Sequence, residues 1–377
     1  MTATAIAQLE SGPRTREAVD AFFASHSFPI VDGNSITFVW RGEAEAVILK
    51  HWVFGLPSSQ KLARVDNTDV WHLTLQLPAN SRVEYKLEVV RNGHGEWTQD
   101  RLNPNTARDP FGGNSVAHGT GYEIPTWIQP DSTAAKGHRD EIWIESKTFG
   151  RRGFGLYIPS RFQRSRQYPL LVVHDGHDYL RYAAMGNILD NLIDRLEIAD
   201  AIVVFTSSPD RLREYADDER HAKFVTEELV PFVERLFPID PQPQSRCLMG
   251  ASFGAVASLY AKVQHPGVWG RLLLQSGSFA FTDIGDHQRG PVWDPIVRFV
   301  NGFRDSPRHL HARVYASCGT FESLIYYNRS LVPLFAKRTD DFRFTEAPDG
   351  HNWINWRDRL REGLTFLFPG PLWMYYE

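Results

Sequence analysis

Hydrophobic and polar residues alternate with a period of two in the N-terminal quarter of the chain. Residues 70–77 read VWHLTLQL and residues 83–89 read VEYKLEV, so every second side chain is apolar. This alternation indicates antiparallel strands that bury one face. Turn-forming residues at 78–81 predict that the two strands pair as a hairpin. With alternating stretches at 35–40 and 46–49, they predict a small, all-β, immunoglobulin-like sandwich.

The pattern changes after about residue 130, where short apolar runs alternate with helix-length stretches. Predicted strands lie at 170–174, 201–205, 247–249, 272–275, 313–317 and 342–344. Predicted helices lie at 185–196, at 220–237, at 255–261, after Glu322 and after His351. Strands that alternate with helices in this way predict an α/β fold, with a mostly parallel sheet covered by helices on both faces.

The two patterns are separated by an irregular connection that contains proline and glycine. The residues that interrupt regular structure there are Asn103-Pro104-Asn105, residues 109–113, Pro125 and Pro130. Such segments are typical of interdomain connections. We therefore predict an N-terminal β-sandwich domain with a short leading helix over residues 1–130, and a catalytic α/β domain over residues 131–377.

Length and composition fit a two-domain globular protein. The chain has 377 residues, of which 42% are hydrophobic and 23% charged. Its formal net charge of −4, without a basic run that contains aromatics, predicts no nucleic-acid partner. No apolar run approaches the ~18 residues of a spanning helix, and the N-terminus does not resemble a secretory signal. These features predict a cytoplasmic protein without a membrane partner and leave its oligomeric state open.

The two cysteines do not indicate a metal site. Cys247 and Cys318 both lie in predicted inner strands, where buried thiols are expected. No cysteine or histidine spacing resembles a zinc site, so we predict no metal.

The strongest chemical signal is the segment Gly250-Ala251-Ser252-Phe253-Gly254. It has the Gly-x-Ser-x-Gly pattern, and it stands between a short apolar strand and a helix rich in small residues. This context is that of the nucleophile elbow of an α/β-hydrolase, in which a tight turn exposes the serine hydroxyl above the sheet. Ser252 is therefore the predicted nucleophile.

A serine nucleophile needs a base, and the base needs an acid to orient it. In α/β-hydrolases these residues follow in the order serine, acid, histidine. His351 is the histidine in a fitting position, since it comes directly after the last predicted strand. Glu322 is the carboxylate on the loop after the preceding strand and is the predicted acid. Asp349 and Asp283 are its weaker rivals.

An oxyanion hole requires two backbone N–H donors. The elbow supplies one, the amide of Phe253. The other is expected from the loop after strand 170–174, where the amide of Gly176 or of His177 is the candidate.

A resemblance to a known family is carried by residues 173–176, 250–254, 275–278, 319–322 and 349–353, and in the first region by residues 36–42 and 68–72. With these segments the chain resembles the enterochelin (siderophore) esterase family, α/β-hydrolases of the esterase D-like group that carry an N-terminal β-sandwich domain. It implies a serine esterase that acts on siderophore-type ester bonds, with a small-molecule ester such as a ferric siderophore as partner and no cofactor. An anionic catecholate substrate would require arginines, for which Arg181 and Arg213 are the candidates.

Other functions are compatible with the same residues. The same chemistry could act on acetylated or feruloylated carbohydrates, or on a broad range of esters. An acyltransferase would use another alcohol in place of water, and a non-catalytic binding protein could retain the fold.

Overall fold

A computed structural model describes residues 4–282 and 289–371. The N-terminal strands are β1 (Ile30–Asp32), β2 (Ser35–Arg41), β3 (Ala46–His51), β4 (Ser59–Lys61), β5 (Ala63–Arg64), β6 (Val70–Gln76), β7 (Arg82–Arg91), β8 (His94–Thr98), β9 (Thr106–Asp109) and β10 (Gly112–His118). The later strands are β11 (His138–Ser146), β12 (Gly150–Ile158), β13 (Leu170–Val173), β14 (Ile202–Phe205), β15 (Arg246–Ala251), β16 (Arg271–Gln275), β17 (Arg313–Gly319) and β18 (Asp341–Ala347).

The helices precede the first strand or follow strands of the second region. They are α1 (Thr4–Ser11), α2 (Arg16–Ser25), α3 (Gly176–Tyr182), α4 (Met185–Asp194), α5 (Arg211–Glu214), α6 (Glu219–Lys223), α7 (Val230–Leu236), α8 (Phe253–Gln264), α9 (Asp294–Asp305), α10 (Ile325–Arg338) and α11 (Trp353–Leu367), with a π-helical turn at Phe224–Leu229 and 3₁₀ turns at Thr126–Ile128, Pro243–Ser245 and Pro291–Trp293. Among the described residues, none of these helices has both the length and the apolar character needed to cross a bilayer.

The N-terminal strands form two antiparallel sheets. One has the order β1-β2-β6-β5, and the other has the order β4-β3-β7-β10-β9, with β8 also paired to β7. Ile36, Phe38, Leu49, Tyr85 and Leu87 are among the buried residues of the core that these strands share. The predicted hairpin of 70–77 with 83–89 was wrong, because β6 pairs with β2 and β5 while β7 pairs with β3, β8 and β10.

Two leading helices, where one was predicted, pack on the first of these sheets. Ile6 and Leu9 of α1 and Phe22 of α2 form a second apolar cluster, which includes Val39 and Val70 of the sheet. Both faces of β6 therefore bury side chains, Val70 on one face and Trp71 on the other.

The second region has an eight-stranded sheet of order β11-β12-β14-β13-β15-β16-β17-β18. From β14 to β17 the neighbouring strands are parallel, and β11 and β12 add an antiparallel hairpin at one edge. In β13, Leu170 and Val172 belong to one apolar cluster, while Leu171 and Val173 belong to another. Helices thus cover both faces of the sheet, and the α/β-hydrolase architecture predicted from the sequence is confirmed.

By its contacts the chain divides into two compact units, and the first unit includes two short segments from late in the chain. The first unit comprises the residues up to Ile124 together with Gly319–Ser323 and Ala347–Asn352. The second comprises the rest of the chain from Pro125 onward. The loops that carry Glu322 and His351 therefore share their densest contacts with the N-terminal sandwich. The boundary at residue 130 stays a prediction.

Candidate active site

Ser252 sits on a tight turn between β15 and α8. Its backbone has φ 57° and ψ −119°, a conformation that non-glycine residues rarely adopt. A Cβ atom at position 250 would lie 2.4 Å from the carbonyl carbon of Gly254, so only glycine fits there. Strand, strained serine and helix together have the geometry of a nucleophile elbow.

Hydrogen bonds from the neighbouring strand hold this turn. The Ser252 amide donates to the carbonyl of Gln275 over 2.9 Å, and the Ser278 amide donates to the carbonyl of Ser252 over 3.2 Å. The hydroxyl oxygens of Ser252 and Ser278 are 3.1 Å apart. Ser278 was not among the predicted site residues, although the segment 275–278 was part of the resemblance. It gives the Ser252 hydroxyl a hydrogen-bonding partner within its own unit.

Glu322 and His351 form an ion-pair-like contact in the first unit. Nδ1 of His351 is 2.7 Å from Oε2 of Glu322, whose side chain is buried. The other carboxylate oxygen accepts the amide of Gly319 over 2.7 Å. Because a carboxylate only accepts, the proton belongs on Nδ1, which makes Nε2 the basic nitrogen of His351.

Asp349, the rival acid, has other partners. Its two carboxylate oxygens accept from the guanidinium of Arg82 over 2.7 and 2.9 Å. The Gly350 amide and the Asn352 side-chain amide also donate to it, over 2.6 and 3.0 Å. Asp349 therefore binds Arg82, whereas Glu322 contacts the histidine. Asp283, the other rival, lies outside the described residues.

The two candidates for the second oxyanion donor, Gly176 and His177, differ in their backbone hydrogen bonds. The Gly176 amide donates to the carbonyl of Thr206 over 2.7 Å, so it is occupied. Gly176 is required for another reason, since a Cβ atom there would lie 2.3 Å from the Cα atom of Phe205. His177 is the second residue of α3, and Phe253 is the first of α8; amides in a first helical turn have no acceptor within their helix.

Arg211, which the sequence reasoning missed, joins the elbow to the loop before α3. Its guanidinium donates to both oxygens of the Asp175 carboxylate over 2.8 and 2.9 Å and approaches the carbonyl of Ala251 at 3.5 Å. Burial alone would lower the pKa of Arg211, but the Asp175 carboxylate more than reverses this, so the guanidinium stays charged. Arg211 thus links the Asp175 side chain to the backbone carbonyl that directly precedes Ser252.

The two arginines predicted to bind substrate are both exposed. Arg181 lies over the ring of Tyr182, 5.3 Å from its centroid. Arg213 lines an open cavity of about 610 Å³ together with Arg220 and with four carboxylates, those of Asp210, Asp217, Asp218 and Glu219. The acidic lining does not favour an anionic ligand beside Arg213, so Arg181 is the better candidate of the two.

Within residues 4–282 and 289–371, one group of side chains could hold a metal ion. Donor atoms of His309, His311 and Asp340 lie within 4.8 Å of one another at the surface. Nδ1 of His309 already accepts the amide of His311 over 3.2 Å. Both histidines precede β17, whereas the elbow follows the end of its strand, so the group lies away from the candidate active site.

A buried histidine pair lies beneath the elbow. Nε2 of His174 is 3.1 Å from Nε2 of His221, and Nδ1 of His174 is 3.0 Å from the hydroxyl oxygen of Ser258 in α8. Burial lowers the pKa of His174 to about 3, and His221 adds to this shift. His174 is therefore neutral and serves as a packing and hydrogen-bonding group.

The depressed pKa of His174 makes stability depend on pH. Between about pH 3 and its ordinary value of ~6.5, the unfolded chain binds a proton at this residue that the folded chain does not, so stability falls as the pH falls. On going from pH 7 to pH 5, we expect the free energy of unfolding to fall by about 2 kcal/mol less in His174→Leu than in the native protein. Urea unfolding at both pH values measures this, with the exposed His94→Leu as control. An equal fall in both variants would contradict the expectation.

An α/β-hydrolase sheet with an elbow serine, and a histidine bound to a carboxylate, are each features of serine hydrolases of this fold. The chain belongs to the family described as putative esterase, whose model matches residues 146–367, and residues 35–123 match the N-terminal domain of enterochelin esterase. These matches confirm the enterochelin esterase resemblance that was predicted from the sequence.

Individual relatives agree with this assignment. The iron(III) enterobactin esterase of Escherichia coli O6:H1 is 25% identical over 88% of this chain and 91% of its own length. The enterobactin esterase of Shigella flexneri, crystallised in the presence of enterobactin, superimposes with a TM-score of 0.72 at 22% identity, over 92% of this chain and 97% of that one. A ferulic acid esterase has a TM-score of 0.53 at 17% identity, over 62% of this chain and 98% of that one. The last two likenesses show the fold.

Proposed function

We propose that this esterase hydrolyses the ester bonds of a catecholate trilactone siderophore of the enterobactin type. The observation that carries the proposal is the breadth of the similarity to an iron(III) enterobactin esterase, which extends over 88% of the chain. The match of residues 35–123 to the enterochelin esterase N-terminal domain supports it further. A cytoplasmic location, where an imported siderophore would be opened, belongs to the same proposal.

The proposed reaction passes through an acyl-enzyme. Ser252 Oγ attacks the ester carbonyl while Nε2 of His351 takes its proton, and Glu322 stabilises the imidazolium that forms. His351 then gives the proton to the departing alcohol, and a water molecule activated by the same nitrogen releases the acyl group. Strand order supports these roles, because Ser252 follows β15, Glu322 follows β17 and His351 follows β18 in one sheet.

Negative charge on the attacked oxygen requires two backbone donors. We propose the amides of Phe253 and His177, since the Gly176 amide is occupied. The charge of the catecholate groups would be met by Arg181 at the surface, and the iron-loaded siderophore would present the same ester carbonyls.

A comparison of substrates tests the proposal. The purified enzyme is assayed with a catecholate trilactone, iron-free and ferric, with a feruloylated sugar and with p-nitrophenyl acetate. We expect kcat/KM for the trilactone to exceed that for the feruloylated sugar by at least ~100-fold, the discrimination available to a site built for its polar groups. Ser252→Ala supplies the background rate.

A carbohydrate feruloyl esterase is the second candidate, which the ferulic acid esterase fold favours. Serine-dependent turnover of the feruloylated sugar in preference to the trilactone would establish it and overturn the siderophore proposal. Consumption of an added alcohol in place of water would instead indicate an acyltransferase.

A further inference from the structure

The first residue of β7, Arg82, is a fully buried arginine in the N-terminal sandwich, with 1% of its surface exposed. Its guanidinium binds both oxygens of Asp349, over 2.7 and 2.9 Å, and also donates to the side-chain oxygen of Asn352. Its remaining nitrogen donates to Glu84 over 3.2 Å. Arg82 therefore contacts the chain on both sides of His351, at positions 349 and 352.

Backbone hydrogen bonds extend the same contact. The Arg82 amide donates to the carbonyl of Pro348 over 3.0 Å, and the Phe321 amide donates to the carbonyl of Asp349 over 3.0 Å. The loop that carries His351 is thus bound to the sandwich strand on one side and to the segment that carries Glu322 on the other.

The segment that carries Glu322 is also held by the sandwich. Phe321 is buried in the apolar core of the two N-terminal sheets. Its carbonyl accepts the amide of Phe54 over 2.7 Å. Both members of the Glu322–His351 pair therefore have an immediate chain neighbour that is anchored in the first unit.

Charge makes Arg82 hard to replace. Burial alone would lower the pKa of Arg82, but Asp349 and Glu84 reverse this and raise it, so the guanidinium is charged. Without that charge the buried Asp349 carboxylate would have no cationic partner, which is strongly unfavourable, and the partly buried Glu84 would lose its ion pair with Arg82. The Asp349 loop would then leave this position to reach solvent.

We infer that Arg82 is a positioning residue for the histidine, holding the 347–352 loop so that the His351 imidazole keeps its contact with Glu322. The inference rests on the proposed function, because it concerns the step in which His351 takes the serine proton. It gives the N-terminal sandwich a part in catalysis through the position of His351.

A double-mutant cycle tests this role. We expect Arg82→Met to lower kcat by about 100-fold with KM changed less than about threefold, because an imidazole held out of place slows proton transfer without removing substrate contacts. In a His351→Ala background the same substitution should cost less than about threefold, since no imidazole remains to be positioned. Turnover of p-nitrophenyl acetate provides the residual activity needed for this measurement.

Two further variants separate positioning from folding. Arg82→Lys keeps the charge but not the bidentate geometry and should recover part of kcat. Arg41→Met removes another arginine ion pair of the same sandwich, with Asp20 and Asp69, and should leave kcat unchanged. If Arg82→Met does not fold, Arg82→Lys and Asp349→Asn take its place, and each is measured in the native and the His351→Ala backgrounds.

Equal losses from Arg82→Met in the native and His351→Ala backgrounds would overturn the inference, since a general loss of folded enzyme acts in both. So would an unchanged kcat in Arg82→Met. Failure of the proposed function is distinguishable, because it would appear in the native enzyme as a lack of preference for the trilactone, whereas the Arg82 cycle is measured on p-nitrophenyl acetate.

Discussion

Ser252→Ala is expected to lower kcat/KM by about 10⁴- to 10⁶-fold, the largest effect of any single substitution in this chain. Without the hydroxyl no acyl-enzyme can form, and only the oxyanion donors and the substrate contacts remain. The turn itself should persist, because it is held by the amide of Ser252 and by Gly250 and Gly254, which the substitution leaves in place. Steady-state kinetics on p-nitrophenyl acetate and on the trilactone measure the loss.

The exposed Ser306→Ala serves as the matched control and should retain native kinetics. A fluorophosphonate should label the native enzyme at a single serine and should fail to label Ser252→Ala. Activity above one hundredth of the native rate in Ser252→Ala, with thermal stability unchanged, would mean that another group is the nucleophile.

The elements of the second region follow closely from local pattern. Each predicted strand between residues 170 and 344 corresponds to a strand in the structure. Those up to residue 317 are buried on both faces and are therefore continuous apolar runs with helices between them, whereas β18 is only partly buried. The elbow was also visible in the local sequence, since Gly250 is imposed by its contact with Gly254, four residues further on.

The N-terminal hairpin could not be predicted in this way. Alternation in β6 indicates one buried face, yet Val70 and His72 are also buried, beneath the leading helices. Which sheet a strand joins depends on partners such as β2 and β3, whose pairing a short turn does not determine.

For a similar reason, the sequence could not reveal that the Gly176 amide is already hydrogen-bonded. Its acceptor, the carbonyl of Thr206, belongs to the loop after the neighbouring strand β14. The Arg82–Asp349 pair joins residues 267 positions apart, and no local signal marks Arg82 among the other arginines. Contacts of this kind are determined by tertiary packing, which cannot be read from the hydrophobic period of the sequence or from the secondary-structure propensities of its residues.

Glu322→Gln is the second substitution with a large expected effect, a loss of about 10²- to 10⁴-fold in kcat. The carboxylate accepts from Nδ1 of His351 and from the Gly319 amide, and it is buried. An amide can retain the Gly319 contact through its oxygen but would then present an N–H group to Nδ1. The imidazole would place its proton on Nε2, where it could no longer accept the proton of Ser252.

Glutamine keeps the size of the side chain, so the melting temperature of Glu322→Gln should fall little. A large loss of kcat in a stable variant would therefore come from the wrong histidine tautomer and not from lost structure. Glu346→Gln, which removes the ion pair of β18 with Arg329, is the control and should retain native kcat. Near-native kcat in Glu322→Gln, together with a large loss in Asp349→Asn, would assign the acid to Asp349 instead. Asp349 binds Arg82 in the structure. We therefore expect Asp349→Asn to reduce kcat mainly in the protein that retains Arg82, whereas Glu322→Gln should reduce kcat both with Arg82 and in Arg82→Met.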